Sequence, residues 1–409
     1  MKKSSLKIAH LVSLRNVGGI ERLYSEFINF PFPDIDVKHH TILAKKDIAP
    51  VLLDNIQQGS TSIHTLHYYK GMKIPKWLPI LRDRLLQRML EKIKPDVLLL
   101  WSKPKFIDTG NMRRTIKIIF YEHGISWIEN DWKYMHKFLN NVDAIICNSF
   151  AARRIVELKW DIDKREKIKV CLNAIRPSCV PAVVASKKLN INRPFRLGCA
   201  GRLVSVKGIA LAIHAVNKLK LKGILCELWL AGNGESYTDL QKLSSELKLE
   251  NEVKFLGFVD NMTDFFSAID CFVCPSIREP FGLVCAEAMA HGCPVVAAKV
   301  DGIPEVVEDG STGFCISPSL PVEQYVCFGG ETENLPRLVY NPVDDCIEAP
   351  KIVDPSILAD RIETLCTESG MFERMSMEAV NIAKKKFNYS NHAVDVLRFL
   401  QKMVGVGSP

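Results

Sequence analysis

Short apolar runs, each followed by a loop and then by a segment with helical periodicity, recur along the whole chain. The runs that we predict as strands are Ile8–Leu14, Val97–Trp101, Ile116–Tyr121, Ala144–Cys147, Ile168–Leu172, Phe195–Ala200, Leu228–Ala231, Val253–Phe258, Cys271–Cys274 and Val295–Ala298. Strands that are buried on both faces give near-continuous apolar runs, and their alternation with helices is typical of parallel sheets. The pattern therefore predicts an α/β protein, whose last helix spans Tyr389–Val404.

The stretch 275–305 joins two of these strands through a distinctive loop and a helix that is predicted over Leu283–His291. Glu279 lies in the loop, and Glu287 follows eight positions later, inside the helix. The free amides at the start of this helix are those of Phe281, Gly282 and Leu283. Such amides favour an anion, and a glycine lets a ligand approach the backbone. The arrangement suits a ligand that carries both phosphates and hydroxyls.

A second loop, Gly201–Gly208, carries two cations between a predicted strand and a predicted helix. Arg202 offers a planar guanidinium and Lys207 a mobile point charge, which together suit a diphosphate. The alternative, two solvated surface charges, does not explain the flanking glycines. Gly232 begins another glycine-containing loop, which is expected at the same edge of the sheet.

The first half of the chain has two candidate ligand-binding positions of its own. Gly18 and Gly19 stand between a strand and a helix, where backbone amides can approach a phosphate. The pattern is not GxGxxG, which argues against a dinucleotide, and a purely structural turn is the alternative. His123 follows the strand Ile116–Tyr121, at the strand end where open α/β sheets bind ligands. It either hydrogen-bonds a ligand or is merely structural.

A basic amphipathic helix is predicted over residues 77–93. Its apolar positions are Leu78, Leu81, Leu85, Met89 and Ile93, its cations are Arg82, Arg84, Arg88 and Lys92, and Trp77 lies near its start. A basic helix with an aromatic end can lie on an anionic membrane. The alternative is an ordinary surface helix with a solvated basic face.

The length of the chain indicates the number of domains, and the distribution of charge indicates the type of partner. A chain of 409 residues is too long for one ordinary core, so two domains are expected. Lys and Arg exceed Asp and Glu by 15 in residues 1–190 and fall short of them by 7 in residues 191–409. This asymmetry points to an anionic partner for the first half, and anionic lipid, a phosphorylated glycan and nucleic acid all fit.

Composition is that of a soluble globular protein, with 47% apolar and 24% charged residues. No apolar run reaches the length of a membrane-spanning helix, and we interpret the N-terminus as a first strand rather than a signal peptide. The thirteen cysteines lie mostly in apolar contexts, which indicates a reducing compartment and buried thiols. Cys271 and Cys274 form a CxxC inside a strand, where they point to opposite faces and do not make a metal pair.

The segment EPFGLVCAEAMAHGCPVVA, with its Glu279-x7-Glu287 spacing, resembles the signature of the retaining glycosyltransferases of family 4, which have the GT-B fold. The resemblance covers most of residues 1–320 and is strongest over 196–313. It implies two doubly wound, Rossmann-like domains facing across a cleft. The expected parts are an acceptor-binding domain (1–177), a linker (178–193), a nucleotide-sugar-binding domain (194–388) and a C-terminal helix (389–409) that crosses back to the first domain. Residues 318–355, rich in proline and without an apolar period, are predicted to be a structureless insertion.

The resemblance also implies roles for individual residues. Arg202 and Lys207 hold the donor diphosphate and replace a metal ion, so no cofactor is expected. Glu279 contacts the donor sugar and Glu287 the ribose. Further donor contacts are implied for the main chain of Phe281, Gly282 and Leu283, the loops at Gly18, Gly19 and Gly232, the base-binding positions Phe258 and Val259, and His123 beside the reacting carbon. No nucleophile is assigned, because the family is thought to react on one face of the sugar.

The expected function is transfer of a hexosyl or N-acetylhexosaminyl group from a nucleotide-sugar, with UDP as the first candidate, to an anionic glycan or glycolipid. Lipopolysaccharide core would suit the basic first half. The expected location is cytoplasmic, with peripheral contact at the inner membrane. The alternatives are a sugar-nucleotide epimerase of the same fold, a catalytically inactive binding protein, and a nucleic-acid-binding protein, for which no motif is present.

Overall fold

The structure is a computed structural model that describes residues 4–45, 47–66, 68–69, 72–74, 79–101, 116–128, 131–162, 165–181 and 185–406. The chain divides into two compact units. Unit 1 consists of Met1–Leu172 with Ser390–Pro409, and unit 2 of Asn173–Tyr389. Each unit is built on one parallel sheet, as the apolar runs predict.

Unit 1 has a seven-stranded sheet. Its strands in chain order, together with a short antiparallel pair, are β1 (Ser4–Val12), β2 (Ile35–Leu43), β3 (Ser62–Thr65), β4 (Tyr68–Tyr69), β5 (Met72–Lys73), β6 (Val97–Leu100), β7 (Lys117–Glu122), β8 (Ala144–Cys147) and β9 (Ile168–Val170). The sheet order is β3-β2-β1-β6-β7-β8-β9, and every pairing is parallel. The helices are α1 (Gly19–Asn29), α2 (Leu53–Gly59), α3 (Pro79–Ile93), α4 (Trp132–Asn141), α5 (Phe150–Trp160) and the last helix of the chain, Tyr389–Val404.

Unit 2 has a six-stranded sheet. Its strands are β10 (Phe195–Ala200), β11 (Cys226–Ala231), β12 (Val253–Gly257), β13 (Cys271–Cys274), β14 (Val295–Ala298) and β15 (Gly313–Ile316), in the order β12-β11-β10-β13-β14-β15. The helices are α6 (Ile209–Leu221), α7 (Tyr237–Glu246), α8 (Met262–Ala268), α9 (Leu283–Ala290), α10 (Ile303–Val306), α11 (Pro355–Thr367) and α12 (Ser369–Lys386). The strand order reverses between β10 and β13, and ligands of open α/β sheets bind at such a point.

The predicted insertion 318–355 is ordered, so the prediction of a segment without secondary structure is wrong. It contains four short strands, β16 (Leu320–Pro321), β17 (Val339–Asn341), β18 (Cys346–Glu348) and β19 (Lys351–Ile352), and a 3-10 turn over Val322–Phe328. Strand β16 pairs with β19, and β17 pairs with β18 as a hairpin. These strands are two or three residues long, too short to give an alternating pattern that a sequence would reveal.

The division between the units falls at residue 172, five positions before the predicted end of the first domain. The C-terminal half of the predicted linker 178–193 is attached to unit 2. There the Lys187 backbone amide donates to Ser376 Oγ (2.6 Å), and Lys187 Nζ donates to the Phe266 carbonyl (2.6 Å). The last helix, α13 (Tyr389–Val404), belongs almost wholly to unit 1, as predicted for a helix that crosses back. His392 Nδ1 bonds the Leu172 carbonyl there (2.8 Å).

The basic helix forms as α3, but its buried face differs from the predicted one. Leu85, Leu86 and Leu90 are buried, whereas Leu81 is exposed. Arg82, predicted on the solvated face, is buried and donates to the Ile74 carbonyl (3.0 Å). The carbonyl acceptor satisfies part of the hydrogen bonding of this buried guanidinium, a pairing that composition alone does not reveal. The predicted start of the helix, including Trp77, lies outside the described residues.

Candidate functional site

An ion pair lies beside the point where the unit 2 strand order reverses. Lys207 Nζ contacts Glu279 Oε2 at 2.5 Å. Lys207 comes from the loop after β10 and Glu279 from the loop after β13, so the ion pair brings together two loops that are far apart in the sequence. Burial opposes the charged amine of Lys207, but attraction to Glu279 outweighs it, and the pKa of Lys207 is raised. The lysine is therefore a permanent cation at neutral pH.

The Lys207 loop depends on glycine at one position. Gly208 has φ +66°, and a Cβ there would lie 2.0 Å from the Pro275 carbonyl oxygen. The backbone amide of Ile277 also donates to the Val206 carbonyl (2.9 Å). A bare backbone at Gly208 thus lets the two loops approach each other closely, and this approach brings Lys207 to Glu279.

The carboxylate of Glu279 caps the helix that follows it. Glu279 Oε1 accepts a hydrogen bond from the Gly282 amide (3.3 Å), directly before α9. Gly282 has φ +90°, a backbone conformation that favours glycine. The carboxylate is thus held between a lysine ammonium and a helix N-terminus, both of which favour negative charge. Phe281 turns its ring into the core, against Phe387 (ring centroids 5.8 Å apart), and Leu283 is half-buried.

Two further arginines lie on these loops. Arg202 is exposed and lines, together with Lys207 and Pro275, a cavity of about 20 Å³. Among the described residues it forms no ion pair. The Nε of Arg278, adjacent to Glu279, is buried and has no hydrogen-bond partner within the described part of the chain. Burial lowers the pKa of Arg278. The loops therefore offer more positive charge than Glu279 neutralises.

Glu287, the second glutamate of the signature, is paired with a residue that the sequence reading did not single out. Arg176 Nη2 lies 3.4 Å from Glu287 Oε1, and both side chains are largely buried. A carboxylate has about four lone-pair positions, more than the contact with Arg176 uses. The role of Glu287 toward a ribose stays a prediction.

The predicted base-binding positions lie at the end of β12. Phe258 is an exposed aromatic residue (68% exposed), and Val259 is half-buried. The Gly232 amide donates to the Gly257 carbonyl (2.7 Å), which joins the loop after β11 to this strand end. An exposed ring at a strand end can stack on a base, and this assignment stays a prediction.

In unit 1, His123 is a half-buried residue whose Nε2 atom is itself buried and unsatisfied. Its Nε2 has no hydrogen-bond partner within the described residues. Its ring stacks on Trp101, with centroids 5.5 Å apart and planes 9° apart. Burial, assisted by His392, lowers the pKa of His123 to about 3, so the ring is neutral at neutral pH. A neutral ring with a spare nitrogen can exchange a hydrogen bond with a sugar hydroxyl.

Glu122, which precedes His123, organises the loop that follows. Its carboxylate accepts hydrogen bonds from the backbone amides of Gly124 and Ser126 and from Ser126 Oγ (2.8 Å). Burial raises the pKa of Glu122. Sequence reasoning passed over this residue, although a carboxylate at the end of a buried strand was the available signal.

Further neutral rings lie behind His123. Trp101 Nε1 donates to His10 Nδ1 (3.0 Å), so His10 carries its proton on Nε2 and donates to His39 Nδ1 (2.9 Å). Burial lowers the pKa of His39 to about 3, and burial followed by the neighbouring histidines lowers that of His10. The hydrogen bonds from Trp101 to His10 and from His10 to His39 therefore join uncharged rings.

At the other predicted loop of unit 1, a backbone amide already has a carboxylate as its hydrogen-bond acceptor. The Gly18 amide donates to Glu21 Oε2 (3.1 Å), and α1 begins at Gly19. A Cβ at Gly19 would meet no atom within 4 Å, so open space surrounds that position. A ligand phosphate at Gly18 would have to displace the carboxylate of Glu21.

The thiols, the metal-ligating side chains and the helices add three observations. All thirteen cysteines are free and ten are buried, including Cys271 and Cys274. Among the described residues, no group of three or more His, Cys, Asp or Glu side chains is arranged to hold a metal ion. The described helices include none that combines the length and the apolar character needed to cross a membrane.

Two family models match the chain. The one described as "Glycosyl transferases group 1" matches residues 184–326, and the one described as "Glycosyltransferase Family 4" matches residues 44–178. Together they cover well over half of the sequence, and each falls mainly within one unit. The resemblance seen in the sequence is thereby confirmed.

Individual relatives agree with these models. The chain is 29% identical over 306 residues to the lipopolysaccharide core biosynthesis glycosyltransferase LpsE of Rhizobium meliloti (strain 1021), across 73% of this chain and 81% of that protein. The crystal structure of a glycosyltransferase from Rickettsia africae ESF-5 superposes with a TM-score of 0.75 at 16% identity, covering 98% of this chain and 100% of that one. Anabaena Alr3699/HepE in complex with UDP and glucose gives 0.69 at 19% identity, covering 97% and 100%. The structural likeness identifies the GT-B fold.

Proposed function

The chain belongs to glycosyltransferase family 4, and from this we propose that it transfers a hexosyl or N-acetylhexosaminyl group from a UDP-sugar, with retention of configuration and without a metal ion. The observation that carries the proposal is the Lys207–Glu279 pair beside the N-terminus of α9. It supplies a cation for a diphosphate and a carboxylate for sugar hydroxyls. The UDP and glucose bound by Anabaena Alr3699/HepE support the choice of donor.

In the proposed reaction, Arg202 and Lys207 neutralise the diphosphate as the bond from its oxygen to the anomeric carbon breaks. The acceptor oxygen forms the new bond to that carbon on the same face, and the acceptor proton passes to the leaving phosphate. Fixed donors aimed at a developing charge are usually the largest single contribution to catalysis, with one such donor worth roughly 3–4 kcal/mol. Glu279 positions the sugar, and Glu287 binds the ribose. Gly18, Gly19 and His123 are proposed to contact the donor from unit 1.

We propose lipopolysaccharide core, or another lipid-linked or cell-surface saccharide, as the acceptor. The similarity to LpsE and the excess of 15 positive charges in residues 1–190 support this choice, since a phosphorylated glycan is anionic. Helix α3 presents Ile80, Leu81, Arg84 and Arg88 as exposed residues, which suits an anionic membrane surface. Co-sedimentation with vesicles of anionic lipid, compared with neutral vesicles, tests this contact.

Calorimetric titration with UDP, GDP and ADP in the presence of EDTA tests the donor. The proposal expects UDP to bind most tightly, and EDTA to leave its affinity unchanged. Turnover of UDP-glucose, UDP-galactose and UDP-N-acetylglucosamine on isolated lipopolysaccharide core then tests the transfer, and the anomeric proton coupling of the product reports its configuration. A product of inverted configuration, or a requirement for a divalent ion, would contradict the mechanism.

A further inference from the structure

We propose that the insertion 318–355 sets the position of the Lys207–Glu279 pair, and that Asp301 is the positioning residue through which it acts on Glu279. The inference rests on the proposed function, because the pair is assigned there to the donor. It gives a role to the one segment that departs from the family pattern.

Asp301 joins the Glu279 loop to the β17–β18 hairpin. Its Oδ2 accepts a hydrogen bond from the Glu279 amide (2.9 Å), and its Oδ1 accepts one from the Tyr340 amide (2.8 Å). The Asp301 amide donates in turn to the Tyr340 carbonyl (3.0 Å), and the Gly302 amide donates to the Glu279 carbonyl (3.1 Å). Asp301 is 1% exposed. The backbone of Glu279 is therefore held from both sides, and one of these contacts runs through the insertion.

The hairpin that Asp301 contacts is internally fixed. Strand β17 pairs with β18 from Val339↔Glu348 to Asn341↔Cys346. Asn341 Oδ1 accepts the Val343 amide (2.9 Å), which closes the turn. Tyr340 is largely buried, and its hydroxyl donates to Asp345 Oδ1 (2.8 Å). A rigid hairpin is a suitable anchor for Asp301, because flexible partners would not hold a side chain in place.

The other end of the insertion contacts the segment that follows Lys207. Tyr325, 1% exposed, hydrogen-bonds the backbone of Ala210 in the first turn of α6. Phe328 packs edge-on against His214 of the same helix, with ring centroids 5.2 Å apart. A Cβ at Gly330 would lie 2.2 Å from the Tyr325 ring, so the chain folds tightly over that ring. The insertion thus contacts the helix that follows Lys207 and, through Tyr340, the Asp301 side chain that holds the Glu279 amide.

The backbone at Asp301 allows a specific test. Its φ of +47° is left-handed, a conformation that Asn adopts readily and Ala does not. Asp301→Asn therefore keeps the backbone and nearly the same shape. Its amide group can accept at only one of the two positions, so either the Glu279 or the Tyr340 amide loses its acceptor.

The expected result for Asp301→Asn is a kcat that falls about 10- to 100-fold, because small misplacements of catalytic groups are costly. UDP affinity should change less than about threefold, because Arg202 and Lys207 do not contact Asp301 and single contacts lose little. In hydrogen exchange, the peptide 276–283 should exchange about tenfold faster. Tyr340→Phe removes one contact within the hairpin but keeps both main-chain bonds to Asp301, so it should lower kcat far less than Asp301→Asn does. Replacing residues 339–348 with a Gly-Ser linker should lower kcat to a similar extent. Combining this linker with Asp301→Asn should lower kcat little further.

The outcomes separate the two proposals. Wild-type kcat and unchanged exchange in Asp301→Asn would overturn the positioning role. A parallel loss of kcat and UDP affinity would also overturn it, because it would mean a general loss of structure. Failure of the wild-type protein to transfer sugar from any nucleotide-sugar would overturn the proposed function instead. In that case, exchange of the 276–283 peptide still decides whether the insertion holds the Glu279 loop.

Discussion

Units 1 and 2 each have a parallel sheet whose strand order reverses between two central strands, yet the side chains near the carboxyl ends of their strands differ in chemistry. Unit 2 presents ions, with Lys207 against Glu279 and Arg176 against Glu287. Unit 1 presents neutral groups, since burial lowers the pKa of His123 to about 3. The same topology thus supports either a charged or an uncharged site, and the side chains at the strand ends decide which.

The difference has a simple physical reading under the proposed function. A nucleotide diphosphate gains charge as it leaves, and cations stabilise it best when they are fixed in advance. A sugar ring carries no charge, so neutral donors and acceptors can bind it without an ion having to be desolvated. The comparison predicts that charge variants in unit 2 have larger effects than neutral variants in unit 1.

The largest effect is expected for Lys207→Met. Loss of the cation that faces the diphosphate should lower kcat about 10²- to 10³-fold, as for other fixed donors to a developing charge. Lys222→Met is the control, because Lys222 is also paired with carboxylates, those of Asp360 and Glu363, but on the exposed surface. Steady-state kinetics of both variants provides the measurement. Equal activity in the two would show that the ion pair has no special role.

The next effect concerns stability, and it tests whether the buried histidines of unit 1 are uncharged in the folded state. His39 and His123 have folded pKa values of about 3, below the ordinary value of 6.5. Between these values the unfolded chain binds more protons, so stability is full above pH 6.5 and falls as the pH falls. At pH 5 the loss should be about 2 kcal/mol for each histidine. Urea denaturation at pH 7 and pH 5 measures it.

A variant of His392 provides the control for this pH dependence. Burial lowers its pKa to about 4, and its Nδ1 bonds the Leu172 carbonyl. His392→Asn offers an amide nitrogen near the same place but cannot titrate. The variant should therefore show a shallower fall in stability, by the share of one histidine. An unchanged slope would mean that His392 is not buried as a neutral ring.

The smallest effect is expected for His123→Ala. One neutral hydrogen bond is worth about 1 kcal/mol, so kcat should fall about fivefold, with UDP affinity unchanged. His64→Ala is a matched control in the same unit, where the imidazole bonds Ser62 (2.9 Å) on the edge strand β3. If His123→Ala lowers kcat as much as Lys207→Met does, the distinction between a charged and a neutral unit fails.

The sequence was most informative where the functional residues lie close together in the chain. The strands β10, β13 and β14 have the predicted bounds, because a glycine or proline borders each apolar run: Gly201 follows β10, Pro275 follows β13 and Pro294 precedes β14. Ser149, directly before α5, caps that helix by accepting the Ala152 amide (2.9 Å). In these places local sequence determines local structure.

It was least informative in the first half, over residues 30–115. Strand β2, IDVKHHTIL, carries lysine and histidines among its apolar residues, and β3 is an edge strand of four residues. Neither stands out as an apolar run. The His39 side chain is buried through its bond to His10, a contact between residues 29 positions apart. Pairings of this kind depend on the fold and leave no local pattern.

The partners of the signature glutamates show the same limit. Asp301 is 22 positions from Glu279, and Arg176 is 111 positions from Glu287. The motif predicted where the glutamates lie but not what holds them. The only local signal for Asp301 was its place before Gly302 at the end of a predicted strand, which many turns share.

The rates at which the thirteen free thiols react can report local opening of the structure. Cys327 is exposed in the insertion and should react with a thiol reagent at once, as an internal reference. Cys147 and Cys171 are buried in unit 1, and Cys274 and Cys285 are buried on β13 and α9 beside Glu279. Since a buried thiol reacts only when its surroundings open, labelling followed by mass spectrometry yields a separate opening free energy for each unit. A donor that binds unit 2 would slow the labelling of Cys274 and Cys285 and leave the other pair unchanged.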